Sequence, residues 1–427
     1  MFLILHVICL LISPRKRICP ARAAQRWERY REKAAEPFGP SHQEEGSTDY
    51  EADSIQPTKP ADDAEPVEDA ETAENAQSAD NVESTDDTKP ADDEPAVHYY
   101  FVPRRRQHDP NPSETFTSQE TLRLYHGLSH GTCVIAPLNE PAFCKVTFIP
   151  FSKMNRTELL GWEKLVCFFL NQTQYVEPVK NNGPHMGGVM WAGGWRKCSK
   201  RGEAFGRYCS VARLVTMIKR CQYNAEDEAA AFEEANAWIA THLQEMAPGV
   251  FDKYRKVLLE NNLPSLAQVE YPTPYSALDF ASFFTFTMYN FFNQDHMDKD
   301  ANTWTLVCWI PIFNPQNSSE DDPILADDGF DMIGGQFTFR DFQVYLDLNQ
   351  VLGVTLCVFR SKDHTHQTLD GVSPSDKYTR IGFSCQMSEK MSNAVVAYIN
   401  TKTAAKQRVS GQTVQIAEAE AKISKKK

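Results

Sequence analysis

Asn293-Gln294-Asp295-His296-Met297-Asp298, followed by Trp304-Thr305-Leu306-Val307-Cys308-Trp309-Ile310, is the stretch that decides how this chain reads. A polar segment carrying His-x-Asp runs into an apolar strand, so the triplet sits where a loop meets a sheet. Side chains at i and i+2 of extended backbone share a face, and His296 and Asp298 can therefore point together into the mouth of a barrel. A third ligand has to arrive from a neighbouring strand. His366 stands 68 residues beyond Asp298, after the apolar run 354–359 and before the turn Gly371-Val372-Ser373-Pro374, and Arg380 stands 14 residues further on.

Two imidazoles and one carboxylate in this pattern form the three-ligand face of a non-haem iron(II) oxygenase site. If the turn closes an antiparallel pair centred on Ser373, His366 and Arg380 face each other, about 5 Å apart at Cβ. The arginine then has a use. 2-Oxoglutarate chelates iron through its 1-carboxylate and keto oxygen, and a guanidinium can fork onto its far carboxylate. Fe(II) with one carboxylate ligand is +1 and the dianionic cosubstrate takes the site to −1, a charge that Arg380 neutralises. One coordination position is left for O2, with succinate as product. His364 competes with His366, because Asp363-His364-Thr365-His366 offers two histidines on one strand face; the spacing to Arg380 favours His366. The other His-x-acid triplet, His42-Gln43-Glu44, lies in a polar acidic tract unable to hold ligands rigidly.

That tract organises the rest of the chain. Residues 41–97 hold 19 acidic residues against Lys59 and Lys89, a local balance of −17 within a total of −13, so the remainder carries +4. With Thr-Lys-Pro-Ala-Asp-Asp repeated at 58–63 and 88–93, it is expected to be a disordered acidic arm. The expected divisions are an apolar and basic segment at 1–37, the acidic linker at 38–97, a catalytic domain at 98–402 and a Lys-rich solvent tail at 403–427. The apolar run 2–12 is too short to span a bilayer and lacks a leading positive charge, so no membrane partner is expected. Eleven cysteines without a Cys-x-x-Cys pair point to a reducing, intracellular setting. Cys198, Cys209, Cys221 and His185 match no common zinc spacing and read as thiols and a lone imidazole.

Within 98–402 the patterning predicts a capped helix over 113–126, two short strands over 132–150 and a helix over 156–170. A long helical stretch at 225–262 carries the core stripe Phe232, Ala235, Trp238, Ile239 and Leu243. Strands are expected at 305–310, 343–348, 354–359 and 379–385. Helices first, then short strands with Gly and Pro turns, indicate an α+β domain whose sheet closes into a jelly roll, a double-stranded β-helix with a helical layer.

At the residues quoted above, together with Gly334-Gly335-Gln336-Phe337 and Tyr378-Thr379-Arg380-Ile381, the sequence resembles the Tet-like 2OG-Fe(II) oxygenases described from fungi. These are relatives of the ten-eleven translocation 5-methylcytosine dioxygenases and the J-binding proteins. The likeness is close over 265–400 and extends back to about 98. It implies Fe(II), 2-oxoglutarate and O2, and oxidation of a methyl group on a flipped-out nucleobase, hence DNA as partner and a nuclear setting. Asn302 stands near the family's base-contacting asparagine. Gln386 and Ser388 stand near an expected base-stacking aromatic and a base contact, and the cysteine-rich zinc region of the animal enzymes is absent.

Segment 191–220 bears on substrate. Arg196, Lys197, Lys200, Arg201, Arg207, Arg213, Lys219 and Arg220 alternate there with Trp191, Trp195, Phe205 and Tyr208, opposed only by Glu203. Cations among aromatics suit a phosphate backbone and an unstacked base; a solvated face beside core aromatics is the plainer reading. The same oxygenase chemistry on a protein or small molecule, and a catalytically silent jelly-roll binding module, remain as alternatives.

Overall fold

In the computed structural model the described residues are 35–39, 96–104, 121–180, 184–319, 321–401 and 407–425. The expected N-terminal segment and acidic arm therefore lie almost wholly outside them. In chain order the elements are β1 (Val97–Val102), β2 (His126–Leu128), β3 (Thr132–Pro137), β4 (Cys144–Pro150), α1 (Arg156–Gln172), β5 (His185–Lys197), β6 (Glu203–Arg207), α2 (Val211–Lys219), α3 (Ala225–Met246), α4 (Pro248–Glu260), β7 (Phe283–Asn293) and β8 (Thr305–Phe313). Then come β9 (Ile333–Gly334), β10 (Phe337–Phe339), β11 (Val344–Leu346), β12 (Gly353–Phe359), β13 (Gln367–Thr368), β14 (Gly371–Val372), β15 (Tyr378–Gln386), α5 (Glu389–Asn400), β16 (Arg408–Ser410) and α6 (Gln412–Ser424).

Ten strands form one sheet in the order β1-β3-β4-β12-β8-β15-β7-β5-β6-β16. Neighbours are antiparallel except β1 with β3 and β6 with β16. A smaller sheet, β13-β10-β11-β2, and the short ladder β14-β9 complete the β structure. The architecture is the expected α+β jelly roll, with a large sheet, a small sheet and a helical layer.

Period-2 alternation gives the central strands two different faces. From β15, Ile381, Phe383 and Cys385 enter the helix-side core, joined by Phe284, Phe286 and Met288 from β7 and by Leu306, Cys308 and Ile310 from β8. Phe169 of α1 lies 5.0 Å from the Phe383 ring and 5.1 Å from Phe286. Each such burial is worth about 1.5–3 kcal/mol. On the other face Trp309, Cys357 and Phe359 pack with Phe337, Phe339, Val344 and Leu346 of the small sheet. Between these two cores the same face opens into a cavity.

The helical layer is built by local signals. Asn155 caps α1, accepting from Thr157 and Glu158 N–H while its own N–H donates to the Glu158 carboxylate, a reciprocal box. Gly161 lets α1 approach α3, since a Cβ there would lie 2.1 Å from the Trp238 ring. Tyr254 of α4 ties the layer to the sheet: its hydroxyl accepts from Leu306 N–H and donates to the Cys385 carbonyl, bridging β8 and β15.

Several expectations need correction. The helix predicted at 113–126 falls largely outside the described residues, and its visible end is a short 3-10 turn at Thr121–Leu124 followed by β2. The stretch 225–262 is two helices, because Pro248 cannot continue α3 and starts α4 instead. The C-terminal tail expected at 403–427 is in part folded: β16 adds to β6, and α6 packs against α2. Its lysines hid an amphipathic pattern in which Gln412, Gln415 and Ala419 are buried. Among the described residues no helix is long and apolar enough to cross a membrane.

Candidate metal centre and cosubstrate pocket

His296 and His366 meet as backbone partners outside any long strand. Each donates its N–H to the other's carbonyl, at 3.1 and 3.0 Å, which brings their rings side by side, tilted at 48° with centroids 4.4 Å apart. Asp298 N–H donates to the Ser361 carbonyl at 3.0 Å, fixing the other end of the triplet. Asp298 Oδ1 lies 3.8 Å from Nε2 of both histidines. The three candidate ligand atoms all lie within 4.8 Å of one another, the one such group of His, Cys, Asp or Glu among the described residues.

The protonation pattern favours a cation. His296 Nδ1 faces the Gln294 carbonyl at 2.8 Å and His366 Nδ1 faces the His364 carbonyl at 3.4 Å. A carbonyl only accepts, so Nδ1 carries the proton and each Nε2 keeps its lone pair toward Asp298. Burial, aided by the neighbouring His296, pushes His366 down to about 4, so it is neutral near pH 7. Two imidazole nitrogens and one carboxylate oxygen suit a divalent first-row metal.

The second carboxylate oxygen is engaged as well: Asp298 Oδ2 accepts from the Gln386 amide at 3.2 Å. Two further acids lie close by. Asp300, 4% exposed, is driven well above the usual carboxylate range by burial and by the Asp298 charge. Asp295 is raised by burial and pairs with Arg340 at 3.5 Å.

A cavity of about 740 Å³ joins the three ligands to Arg380. Around the arginine it is lined by Met332, Gly335, Trp309, Phe337 and Gly382; toward the other end by Met190, Tyr208, Phe283, Thr285, Ser384 and Gln386. Arg380 is buried, and its Nη atoms donate to the carbonyls of Gly335 (3.1 Å) and Leu348 (3.3 Å) and to Asn349 Oδ1 (2.5 Å). Its Nε has no hydrogen-bond partner among the described residues. Burial lowers its pKa to about 10, offset in part by Asp347, which leaves it a cation at neutral pH. A buried cation held by neutral oxygens, with donor capacity to spare, is suited to an incoming carboxylate.

Arg380 reaches this cavity by a route different from the predicted one. It pairs with Pro311 of β8, while His366 precedes β13, which pairs with β10; the two are not cross-strand neighbours. The turn at 371–374 is taken up instead by β14 pairing with β9. His364 does not share a face with His366, because 361–364 is a turn. It is buried between Phe143 and Phe342, each with its ring centroid 5.0 Å away, and burial holds it near pKa 4.

Asn302 does not line the cavity. Its amide donates to the Trp304 carbonyl and accepts from Met387 N–H, so the proposed base contact is a buried loop clamp. The basic segment also divides. Trp195 and Phe205 are fully buried core, with Trp195 Nε1 donating to the Ser265 and Gln268 carbonyls. Arg207 is buried over the Phe232 ring and 3.7 Å from Glu228, Arg213 pairs with Glu177, and Lys200 pairs with Glu203 and Glu418. Lys197 and Arg201 are exposed. Arg196 alone of the segment's cations stacks on a cavity residue, 5.5 Å over Tyr208. Cys198, Cys209 and Cys221 are free thiols.

Sequence reasoning passed over two contributors. Gly335 adopts φ +70°, and a Cβ there would lie 3.0 Å from Arg380 Nη1; the Gly334-Gly335 pair was the available signal for close backbone approach. Gln386 was noticed only for standing in an unexpected place.

Ligands, arginine and jelly roll together define an iron- and 2-oxoglutarate-dependent oxygenase. The sequence pattern of the Tet-like 2OG-Fe(II) oxygenase superfamily matches residues 155–371, just over half of the chain, and the chain belongs to that superfamily. His296, Asp298 and His366 fall inside the matched span and Arg380 lies just beyond it. No curated protein matches the chain. Among solved structures, a Pseudomonas putida prolyl-4-hydroxylase is similar at 14% identity over 58% of this chain and 93% of that one, with a TM-score of 0.25.

Proposed function

We propose that this Fe(II)- and 2-oxoglutarate-dependent dioxygenase oxidises a methyl group on a nucleobase, with 5-methylcytosine in DNA as the leading substrate. Bound iron and 2-oxoglutarate supply the oxidising chemistry, with succinate and CO2 as coproducts. In this reading His296, Asp298 and His366 hold the metal, and Arg380 with Asn349 and Gly335 holds the far carboxylate of the cosubstrate.

The observation that carries the proposal is the shape of the cavity. Its volume is in the range of a drug-sized ligand and larger than a five-carbon diacid needs. The part beyond the metal ligands offers Tyr208 and Phe283 as flat surfaces, Thr285 and Ser384 as hydroxyls, and exposed Lys299 and Lys390 at the edge. Aromatic surfaces with nearby cations fit an unstacked base and its phosphates. A DNA substrate places the protein with the genome, in the nucleus.

A second reading, the same oxidation on a protein or small molecule, is favoured by the neutralisation of Arg207, Arg213 and Lys200, which leaves less positive surface than the sequence suggested. Mass spectrometry of nucleosides after incubation with methylated DNA, Fe(II), 2-oxoglutarate and O2 decides between them. Loss of 5-methylcytosine with matching succinate supports the first reading. Unchanged nucleosides with succinate formed on another substrate support the second.

A further inference from the structure

Gln386 is the last residue of β15, on the strand face that begins with Arg380. Residues 380, 382, 384 and 386 all line the cavity, so one strand carries the cosubstrate arginine at one end and Gln386 at the other, roughly 20 Å apart along the backbone. At its own end Gln386 faces no substrate surface alone; it faces a ligand.

The Asp298 carboxylate is divided between two tasks. Oδ1 is the oxygen 3.8 Å from both histidine Nε2 atoms, while Oδ2 receives the Gln386 amide at 3.2 Å. The buried Asp300 carboxyl lies near the Asp298 charge, and its Oδ2 has no hydrogen-bond partner among the described residues. Backbone pairing holds Gln386: Ser282 N–H donates to its carbonyl at 3.2 Å, and it sits opposite Phe283 in the β15–β7 ladder.

We infer that Gln386 is a positioning residue that occupies Oδ2 of Asp298, so that the aspartate offers the metal one oxygen and a coordination position stays open for the cosubstrate. This rests on the iron-binding reading and is independent of the nucleobase substrate. Partners of this kind that orient a metal ligand typically change metal affinity about 10- to 100-fold when removed.

The test uses the full chain stripped of metal, with Co(II) as probe, and Gln386→Met, which keeps length and removes the donors. Wild type should bind Co(II). Gln386→Met should bind it about 10- to 100-fold more weakly, with an altered ligand-field spectrum as the freed Oδ2 competes for the ion, and with an unchanged melting temperature of the metal-free protein. Gln386→Asn, one methylene too short to reach, should behave like the methionine variant. Wild-type affinity and spectrum in Gln386→Met would overturn the proposal. So would an affinity loss matched by a fall in metal-free melting temperature, which marks a purely structural role. Failure of the wild type to bind Co(II) would remove the iron reading itself, together with this one.

Discussion

The metal end of the cavity and the basic segment 191–220 both looked functional as sequence, and they differ in where their polar atoms are directed. At the metal end each histidine spends Nδ1 on a backbone carbonyl and leaves Nε2 open toward Asp298. In the basic segment the cations are largely spent: Arg207 on Glu228 and Phe232, Arg213 on Glu177, Lys200 on Glu203 and Glu418. A side chain satisfied on one side and open on the other is arranged for a ligand. One satisfied by its own fold supports the fold.

That contrast is broken most severely at the metal. His296→Ala or His366→Ala should remove tight Co(II) binding, whereas Arg213→Ala should leave it intact; isothermal titration of the metal-free protein reads both. Next in size, Arg380→Lys loses the fork while keeping the charge. Its 2-oxoglutarate affinity at saturating metal should fall roughly 10- to 100-fold, and Gly335→Ala should act in the same direction by crowding the guanidinium. Equal affinity in wild type and Arg380→Lys would deny the arginine its role.

The basic segment should answer differently. Arg207→Met is expected to cost about 3–5 kcal/mol of stability, since Glu228 loses its partner, without changing DNA affinity. A DNA-binding loss at unchanged melting temperature would reverse the assignment. The smallest effect concerns acid. His364 has a folded pKa near 4, below the unfolded value of about 6.5. The unfolded chain therefore takes up that proton first, and stability is retained above about pH 6.5 and lost as pH falls toward 4. His364→Phe, entering a site already walled by Phe143 and Phe342, should change stability at pH 7 by less than about 1 kcal/mol. It should also flatten the decline between pH 6.5 and 4 in the metal-free protein, and an unchanged slope would show that His364 does not contribute.

The sequence made the ligands legible because their chemistry is specific: His-x-Asp before an apolar strand, then a histidine near a turn. The sheet faces were legible from alternation, as in Val344, Leu346 and Leu348, all buried. Strand partners were not. The symmetry about Ser373 brought His366 and Arg380 together on paper, but β15 pairs with β7 and β8 and takes Arg380 to the cavity from the large sheet. Pairing between distant segments depends on which faces can be buried together, which local spacing does not encode. The same applies to Asn302, whose partner Met387 lies 85 residues away, and to the α6 helix hidden in a lysine-rich end.

In the proposed reaction one ferrous ion is held by His296, Asp298 and His366 beside a 2-oxoglutarate clamped by Arg380. Anaerobic titration of the metal-free protein with Fe(II) and 2-oxoglutarate tests this most directly. A visible charge-transfer band should appear in the wild type, require higher 2-oxoglutarate in Arg380→Lys, and vanish in Asp298→Ala. No band in the wild type, or a band undiminished in Asp298→Ala, would contradict it.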